Sequence, residues 1–572
     1  MSAKNLILAG VLIVAVMAVY MPSLHCGFIW DDDYYVTENR VLKVPGGLKK
    51  IWTAPGATPQ YYPMVFTTFW MEYKISGDDP FIYHLDNILL HAANAVLLWQ
   101  LLMRLGVPWA WFAAAVFALH PVQVESVSWI SERKNVLSLF FGLATLLVYC
   151  RFLVIKADGR GSAVRRWGLY GLALLVLTAA LLSKSVTATI PVVILAVMWW
   201  KRGRLTWNDA LLMVPFLAIG AAAGYHTAAM EIGFVGARGA SWDLSLIERC
   251  LIAGRAVWFY IGKLAYPHPL IFIYPRWHID AGAWWQYLYP FALIAVMAGL
   301  WYARRKTGRG VLTGGVCFIV LLSPALGFVN FFPMKYSFVA DHFQYHATPA
   351  MIALFAAGAA WVFRRAGAAI GKAGVMVLAM ILLAGLAART WHEQDKYESP
   401  RALWLDTIVK NPACSMAHNN LGVLFGSTGK KDKDAYRQFK EAVKHAPCNY
   451  LAYHNMGMYL MGDAPEKAIP YFKKALECQP RSLRVLHQLG RAYLQTGEPK
   501  KAIPVLLKLT AGAQSSPKAH YLLGRAFYRN GEYKKAINAF SNVLTLAPDY
   551  PGAAAGLVAA RKKIHRLFEA VE

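Results

Sequence analysis

Three consecutive aspartates, Asp31, Asp32 and Asp33, follow the first long apolar run of the chain. If that run crosses a membrane, the three carboxylates stand at the far surface of the bilayer. Carboxylates crowded there are costly unless they bind a ligand or take up protons. This cluster is therefore the first place to expect chemistry, and a solvated acidic loop is the plain alternative.

Basic side chains are expected at a similar membrane depth. Arg133 and Lys134 begin the fourth predicted span, and Lys184 ends the fifth. Arg and Lys at such positions can bind a phosphate and stabilise departing negative charge. Two simpler explanations stay open, because Arg133 can pair with Glu132 or Glu125 and Lys184 can extend its ammonium to the interface.

The composition predicts what positions these groups. The chain has 572 residues, is 57% hydrophobic and contains 20 Trp, which is too apolar for a soluble protein of this size. We expect an all-α, polytopic helix bundle, because segments of about the length that crosses a ~30 Å hydrocarbon core recur in the first 390 residues. About eleven spans are predicted, near 5–21, 86–104, 108–120, 135–153, 167–183, 187–200, 208–226, 284–302, 311–329, 347–363 and 373–390. A further apolar segment, 249–266, carries three cations and is interpreted as interfacial or re-entrant.

Charge distribution predicts the orientation of the bundle. With a cytoplasmic N-terminus, basic clusters such as 201–204 and 304–309 fall on inner connections, and nearly all acids fall on the opposite face. This is a positive-inside pattern, so much of the net charge of +27 reflects topology and does not indicate nucleic-acid binding. The part after residue 390 is then outside the cytoplasm, and short loops favour a bacterial plasma membrane.

The C-terminal part is predicted to be a repeat array. Gly422, Gly457, Gly490 and Gly524 occupy equivalent positions at spacings of 35, 33 and 34 residues, which is the tetratricopeptide period. We expect an α-solenoid over 391–572 with repeats near 415–448, 450–482, 483–516 and 517–550. Cys414 and Cys448 are equivalent positions in neighbouring repeats, and no disulfide is expected between them because stacked helices lie too far apart.

Polar side chains precede three of these glycines by two positions. Asn420, Asn455 and Gln488 would form a ladder in the groove of the array and hold the backbone of an extended polypeptide. Leu522 interrupts the ladder in the fourth repeat. Ordinary polarity of a helix surface is the alternative interpretation of these three residues.

Three motifs of the membrane half resemble the GT-C glycosyltransferase superfamily. They are Phe28-Ile-Trp-Asp-Asp-Asp-Tyr-Tyr-Val-Thr-Glu-Asn39, His120-Pro-Val-Gln-Val-Glu125 and Ser131-Glu-Arg-Lys-Asn135. Together with external repeats, the architecture is similar to the transmembrane and tetratricopeptide repeat O-mannosyltransferases and their bacterial relatives. The resemblance implies a GT-C-like domain over 1–390, with an external loop at 22–85 that carries the catalytic acids.

The same resemblance implies a sugar donor linked to a polyprenyl phosphate. Transfer of that sugar to a hydroxyl requires a carboxylate that takes the acceptor proton while the sugar develops oxocarbenium character. Asp31 and Asp32 match the acid pair of the family, and either one can be the base. Asp33 can orient the acceptor, join a divalent metal or be solvated. The metal stays open, because clustered oxygens suit Mg²⁺ or Mn²⁺ but no second carboxylate set at defined spacing supports a site.

A further external segment, Ala340-Asp341-His342-Phe343-Gln344-Tyr345, resembles a family pattern in which an arginine follows the acid. His342 replaces that arginine, and a histidine is only partly charged near neutral pH, so its phosphate contact is in doubt. Arg276 and Lys335 lie in other external loops and are weaker candidates for the same role.

Two functions remain after this comparison. One is a glycosyltransferase that transfers a sugar, with mannose implied by the family, to protein hydroxyls presented by the repeats outside the cytoplasm. The other is a membrane-anchored repeat scaffold for envelope polysaccharide or secretion assembly that has no catalytic activity. The enzyme requires acids and cations that meet in one pocket reached by a lipid-sized groove, whereas the scaffold does not.

Overall fold

The computed structural model describes residues 2–158, 162–237, 239–427 and 432–569, and its regular elements in these ranges are helices without strands. The chain divides into two compact units, Met1–Asn411 and Pro412–Glu572. The division falls later than the predicted boundary at 390, because the segment up to Asn411 stays with the first unit. For example, the Asn411 side chain donates a hydrogen bond to the carbonyl of Ile273 at 3.0 Å.

The first unit contains sixteen α-helices within the described residues. They are α1 (Ala3–Val19), α2 (Arg40–Lys43), α3 (Gly47–Thr53), α4 (Pro63–Ser76), α5 (Pro80–Arg104), α6 (Ala110–Leu119), α7 (Val124–Ser128), α8 (Arg133–Asp158), α9 (Ala163–Ser183), α10 (Ile190–Arg202), α11 (Trp207–Met230), α12 (Leu246–Ala265), α13 (Leu288–Thr307), α14 (Gly310–Leu322), α15 (Thr348–Glu393) and α16 (Pro400–Lys410). α15 is broken at Gly371, whose φ of 70° is not helical.

Six helical segments of the described chain are long and apolar enough to cross a membrane. They are Pro80–Arg104, Ile130–Lys156, Ala163–Ser183, Trp207–Gly233, Trp284–Thr307 and Gly371–Tyr397. A pair bent by 53°, Ala110–Leu119 with Pro121–Ser128, makes a seventh if it counts as one span. The expected number of about eleven is therefore too high. Several apolar windows belong to helices that end early, such as α1 with 17 residues and α10 with 13.

The predicted external loop is folded. Helices α2, α3 and α4 pack around a core that includes Tyr35, Val36, Phe66 and Phe69, and Ile130 joins this core from the start of the second membrane segment. Because aromatic side chains bury large apolar areas, this core fixes the loop against the helix bundle. The aspartate cluster is thereby held at the base of the loop.

The second unit is an array of paired helices. They are α17 (Ser415–Gly426), α18 (Lys433–His445), α19 (Tyr450–Leu460), α20 (Pro465–Cys478), α21 (Leu483–Gln495), α22 (Pro499–Gly512), α23 (Pro517–Arg529), α24 (Tyr533–Leu546) and α25 (Ala553–Glu569). Residues 428–431 of the first expected repeat lie outside the described residues. A Cβ atom at Gly457 would lie 2.5 Å from the ring of Phe472, so the repeated glycine allows the two helices of a pair to touch.

A disulfide links Cys448 to Cys478, with 5.3 Å between their Cα atoms. Cys448 precedes α19 and Cys478 ends α20, so the bond closes one helix pair on itself. Cys414 is buried and forms no disulfide. This agrees with the expectation that Cys414 and Cys448 are not bonded to each other. The disulfide between Cys448 and Cys478 is not predicted from the sequence, because a separation of 30 residues does not by itself show that the two ends of a helical hairpin lie close together.

Replacement of Cys448 and Cys478 by Ser is expected to lower the free energy of unfolding by about 2–4 kcal/mol, since the bond restricts the unfolded chain. Thermal melting of the full chain measures the effect, and Cys250→Ser, at an exposed free cysteine, is the matched control. Alkylation of Cys448 and Cys478 in the unreduced, folded protein would contradict the bond.

Candidate functional site

Asp32 is a buried carboxylate that connects two backbone segments of the chain. Its Oδ2 accepts a hydrogen bond from the N–H of Ile29 at 2.9 Å, and its Oδ1 accepts one from the N–H of Ser131 at 2.8 Å. Burial raises the pKa of Asp32 to about 8, although both hydrogen bonds act in the opposite direction. Because both oxygens are engaged and the side chain is inaccessible, Asp32 connects the start of the loop to residue 131 and is a poor candidate for the base.

Asp31 has the opposite character. Trp30 before it has a left-handed φ of 43°, which is strained for a bulky residue, and its ring stacks on Trp129 with 5.6 Å between centroids. The Asp31 carboxylate is partly accessible and accepts no hydrogen bond from the part of the chain that the structure describes. Burial raises its pKa to about 6, and the nearby Lys134 ammonium opposes that rise. Of the two expected bases, Asp31 is the one whose carboxylate is accessible and not engaged by hydrogen bonds from the described residues.

Asp33 lies apart from these groups. It is exposed, begins the π-helical turn Asp33–Thr37, and its Oδ1 accepts a hydrogen bond from the hydroxyl of Thr37 at 3.0 Å. The structure therefore gives Asp33 a local hydrogen bond at the rim, and its expected contact with an acceptor stays a prediction.

Glu132 gathers the cations of the site. Its buried carboxylate lies 2.8 Å from the Nζ of Lys134, 3.5 Å from the Nζ of Lys184 and 3.8 Å from the Nε2 of His342. The two ammonium groups and the imidazole come from three distant parts of the chain. From the sequence Glu132 is expected only as a partner for Arg133, and the structure places it at the centre of this cluster.

Asn135 fixes the geometry around Glu132. Its amide nitrogen donates to Glu132 at 2.7 Å and to the carbonyl of His342 at 3.0 Å, while its amide oxygen accepts from the Nζ of Lys184 at 2.7 Å. A single side chain thus connects the carboxylate to two of the cation-bearing segments. Such a fully bonded network holds its members in one arrangement.

His342 is oriented by Glu125. The imidazole Nδ1 donates to one oxygen of Glu125 at 2.9 Å, and the backbone N–H of His342 donates to the other oxygen at 3.1 Å. Glu125 is almost fully buried, so this two-point contact leaves little freedom for the ring. With Nδ1 engaged, the Nε2 atom faces Glu132 and the two lysines. The sequence offered a signal here, because Glu125 closes one of the three family-like motifs.

Arg133 does not join this cluster, contrary to expectation. Its guanidinium is fully buried and bonds to Glu72 at 2.8 Å, to Asp86 at 2.5 Å and to Asn87 at 2.5 Å. Successive residues of a helix point about 100° apart, so Arg133 and Lys134 cannot both face the same pocket. Arg133 is a structural cation that connects α8 to α4 and α5.

Arg276 and Lys335 also lie elsewhere. Arg276 donates to the carbonyls of Met334 at 3.0 Å and Ser241 at 2.9 Å, which ties together two external loops. Lys335 is exposed and lies over the ring of Tyr336, with 5.4 Å between its Nζ and the ring centroid. No ion pair in the described residues connects either cation to Glu132. Both belong to the loops and not to the cluster.

The expected amide ladder of the repeats has a different composition. Asn455 donates to the side chain of Asn419 at 2.9 Å, and Asn419 donates to that of Asn420 at 3.1 Å. Gln488 is separate from them and accepts from Arg491 at 3.1 Å. The hydrogen bonds between the first two repeats therefore pass through Asn419. Gln488, the third residue of the predicted ladder, contacts an arginine instead.

An apolar cavity of about 370 Å³ lies among α5, α8, α10, α14 and α15. It follows α14 from Gly310 to Leu321, which is roughly 16 Å at 1.5 Å per residue. His346 lines the cavity, and its Nε2 lies 2.8 Å from the hydroxyl of Ser138, one helical turn after Lys134. The cavity thus begins beside the cation cluster and continues between the membrane helices.

The described residues contain no group of three or more His, Cys, Asp or Glu side chains arranged to hold a metal ion. The acids near the cluster face cations or backbone N–H groups instead. The geometry gives no support to a particular divalent cation.

Comparison with known proteins agrees with the family resemblance. The protein O-mannosyl-transferase F38B6.6 of Caenorhabditis elegans is 23% identical over 466 residues, which cover 76% of this chain and 63% of the relative. The protein O-mannosyl-transferase TMTC3 of Homo sapiens is 32% identical over 146 residues, 24% of this chain and 16% of the relative. The chain therefore spans less than two thirds of the length of these curated relatives.

Residues 487–551 match the family model of the tetratricopeptide repeat. Among solved structures, that of MamA protein is 26% identical, covers 27% of this chain and 86% of its own, and has a TM-score of 0.26. The family match confirms that the C-terminal part contains tetratricopeptide repeats, over the stretch of the third and fourth expected repeats.

Proposed function

We propose that this chain is a membrane glycosyltransferase that transfers a sugar from a polyprenyl-phosphate donor to protein hydroxyls outside the cytoplasm. The observation that carries the proposal is the position of Asp31 close to the Lys134 ammonium and the His342 side chain, which meet Lys184 around the Glu132 carboxylate. The names of the relatives favour mannose as the sugar.

The reaction is a single displacement at the anomeric carbon. Asp31 takes the proton of the acceptor hydroxyl as its oxygen forms a bond to that carbon. The bond from the carbon to the phosphate oxygen breaks, and polyprenyl phosphate leaves with the electron pair. Because the attack and the departure occur on opposite faces of the sugar, the configuration of the anomeric carbon is inverted.

The cations stabilise the charge that grows on the leaving phosphate. Glu132, Glu125 and Asn135 hold Lys134, Lys184 and His342 in position before a donor arrives. Groups that are already oriented do not need to reorganise during the reaction, and this is the largest electrostatic contribution in many enzymes. Binding of a phosphate among them also compensates their positive charge more fully than Glu132 does alone.

The apolar cavity supports a prenyl-linked donor. Its walls are aliphatic side chains of the membrane helices, and one end lies at His346, close to the cation cluster. A hydrocarbon tail gains free energy by leaving water for such a surface, while its phosphate stays with the lysines. A soluble nucleotide-sugar has no hydrocarbon tail that would occupy this apolar cavity.

The geometry favours the enzyme over the scaffold. A scaffold needs no accessible acid beside oriented cations, yet Asp31 has this environment. We further propose that the N-terminus is cytoplasmic and that the repeats lie outside a bacterial plasma membrane. The disulfide between Cys448 and Cys478 supports this location, because such bonds persist in oxidising compartments.

Reconstituted protein supplied with a panel of polyprenyl-phosphate sugars and a hydroxyl-bearing peptide mixture tests the proposal. We expect release of polyprenyl phosphate, fastest with mannose, and labelled sugar on the peptides. If no donor of the panel is consumed, the non-catalytic scaffold becomes the better account.

The proposal predicts a bell-shaped pH profile of kcat/KM for the donor. Below about pH 6 Asp31 is protonated and cannot accept a proton, because burial raises its pKa to about 6. Above about pH 8 Lys184 loses its charge, because burial lowers its pKa to about 8 despite the nearby Glu132. Lys184→Arg keeps its charge at high pH and is expected to move the alkaline limb upward. An unchanged alkaline limb in Lys184→Arg would contradict the role of Lys184.

A further inference from the structure

The repeat unit is strongly basic. In residues 412–572, Lys and Arg outnumber Asp and Glu by about two to one. No candidate membrane span lies among the described residues of this unit, so the positive-inside rule, which concerns the loops between spans, does not explain its charge. An excess of this size on a binding domain indicates an acidic partner.

The first helices of the repeats line the inner side of the array. α17 packs against α19 and α21 against α23, although each of these pairs is separated by a second helix in sequence. In a curved stack, neighbouring helices approach each other most closely on the inner side. The first helices therefore face the concave surface, which repeat proteins use for binding.

Five basic or titratable side chains share one face of two of these helices. We name them the basic stripe: Arg484, His487 and Arg491 on α21, and Lys518 and Arg525 on α23. Spacings of three, four and seven residues place side chains on the same helix face. Arg525 also lies over the ring of Tyr521, with 5.9 Å from its guanidinium to the ring centroid.

The cations of the basic stripe have no acidic partner among the described residues. Arg491 instead donates to the amide oxygen of Gln488. The second helices differ, because Lys501 pairs with Glu498 and Lys535 pairs with Glu532. Two cations of the second helices are thus paired with acids, whereas no cation of the basic stripe is paired with an acid in the described residues.

His487 lies close to two cations of the basic stripe, Lys518 and Arg491. Burial, together with the charges of Lys518 and Arg491, lowers its pKa to about 4. Its Nε2 is buried without a partner in the part of the chain that is described. An arrangement that leaves like charges and a polar atom unmatched is costly, and a bound anion relieves both costs.

We propose that the basic stripe binds an extended, acidic polypeptide segment. Packed helices lie about 8–10 Å apart, and an extended chain advances about 3.3 Å per residue, so a carboxylate at every third residue meets one helix after another. The concave position favours a peptide over a flat membrane surface. This inference deepens the proposed function, because the segment would belong to the acceptor protein, but its test does not depend on sugar transfer.

The test uses the full chain in detergent and two fluorescent peptides, one with glutamate at every third position and one with glutamine in those places. The glutamate peptide is expected to bind more tightly and to lose affinity as salt is added. Arg491→Glu with Arg525→Glu is expected to weaken its binding by about tenfold or more. The control, Lys473→Glu with Lys534→Glu, makes the same charge change on second helices and should leave binding unchanged.

Asp31→Asn separates this inference from the proposed function, since it should abolish transfer and leave peptide binding intact. Equal binding of both peptides, or equal loss in the control pair, would overturn the proposal. It would also be overturned if anionic vesicles, and not the peptide, respond to Arg491→Glu with Arg525→Glu.

Discussion

Asp31→Asn is expected to lower sugar transfer by about 10²–10⁴-fold, the usual contribution of a positioned general base. The amide keeps the size of the carboxylate but cannot accept the proton of the acceptor hydroxyl. Because the Asp31 side chain accepts no hydrogen bond from the described residues, the melting temperature should stay close to that of the wild type. Initial rates of label transfer from polyprenyl-phosphate sugar measure the effect.

The two neighbouring aspartates provide matched controls. Asp33→Asn changes an exposed side chain and is expected to alter the rate by less than about threefold. Asp32→Asn places an amide N–H against a backbone N–H of Ile29 or Ser131, so it should reduce stability and activity together. Wild-type turnover in Asp31→Asn would remove the assignment of the base.

Arg133→Met is expected to destabilise the folded protein by about 3–5 kcal/mol, the cost of removing one partner of a buried ion pair. Glu72 would be left nearly buried without its cation, and Asp86 and Asn87 would lose their donor. Burial raises the pKa of Glu72 to about 8 despite the Arg133 charge, and removal of that charge would raise the pKa of Glu72 further. Thermal melting in detergent measures the loss.

Lys184→Met is the matched control for this prediction. Its removal leaves Glu132 with Lys134 and His342, so stability should change less than in Arg133→Met, whereas the KM for the donor should rise. If Arg133→Met instead melts normally and raises only the KM for the donor, Arg133 contacts the phosphate after all.

The sequence was informative wherever a pattern depends on residue type alone. The glycine period predicted the repeats. The expectation of cations at one membrane depth included Lys134 and Lys184, whose ammonium groups both lie near Glu132, and His342, which enters only through the family resemblance, also lies near it. The sequence does not show in which direction each of two neighbouring side chains points. Arg133 and Lys134 are adjacent in sequence yet face different partners, and Asn419, not Asn420, bonds to Asn455.

The partners of the buried carboxylates were also not predictable from the sequence. Glu125 and Glu132 lie in short, mostly apolar segments, and only the folded chain reveals that their partners are His342 and Lys184, many residues away. The difference between Asp31 and Asp32 has the same origin, because it depends on two backbone N–H groups, those of Ile29 and Ser131. The number of spans was overestimated because apolar windows do not show where helices end.

In the proposed mechanism, the side chains around Glu132 bind the phosphate of a prenyl-linked sugar whose anomeric carbon faces the acceptor beside Asp31. A structure of the full chain with a non-hydrolysable polyprenyl-phosphonate sugar is the sharpest test of this arrangement. We expect the phosphonate within hydrogen-bond distance of Lys134 and Lys184, and the prenyl chain along α14. A phosphonate bound at Arg276 or Lys335, away from Asp31, would contradict it.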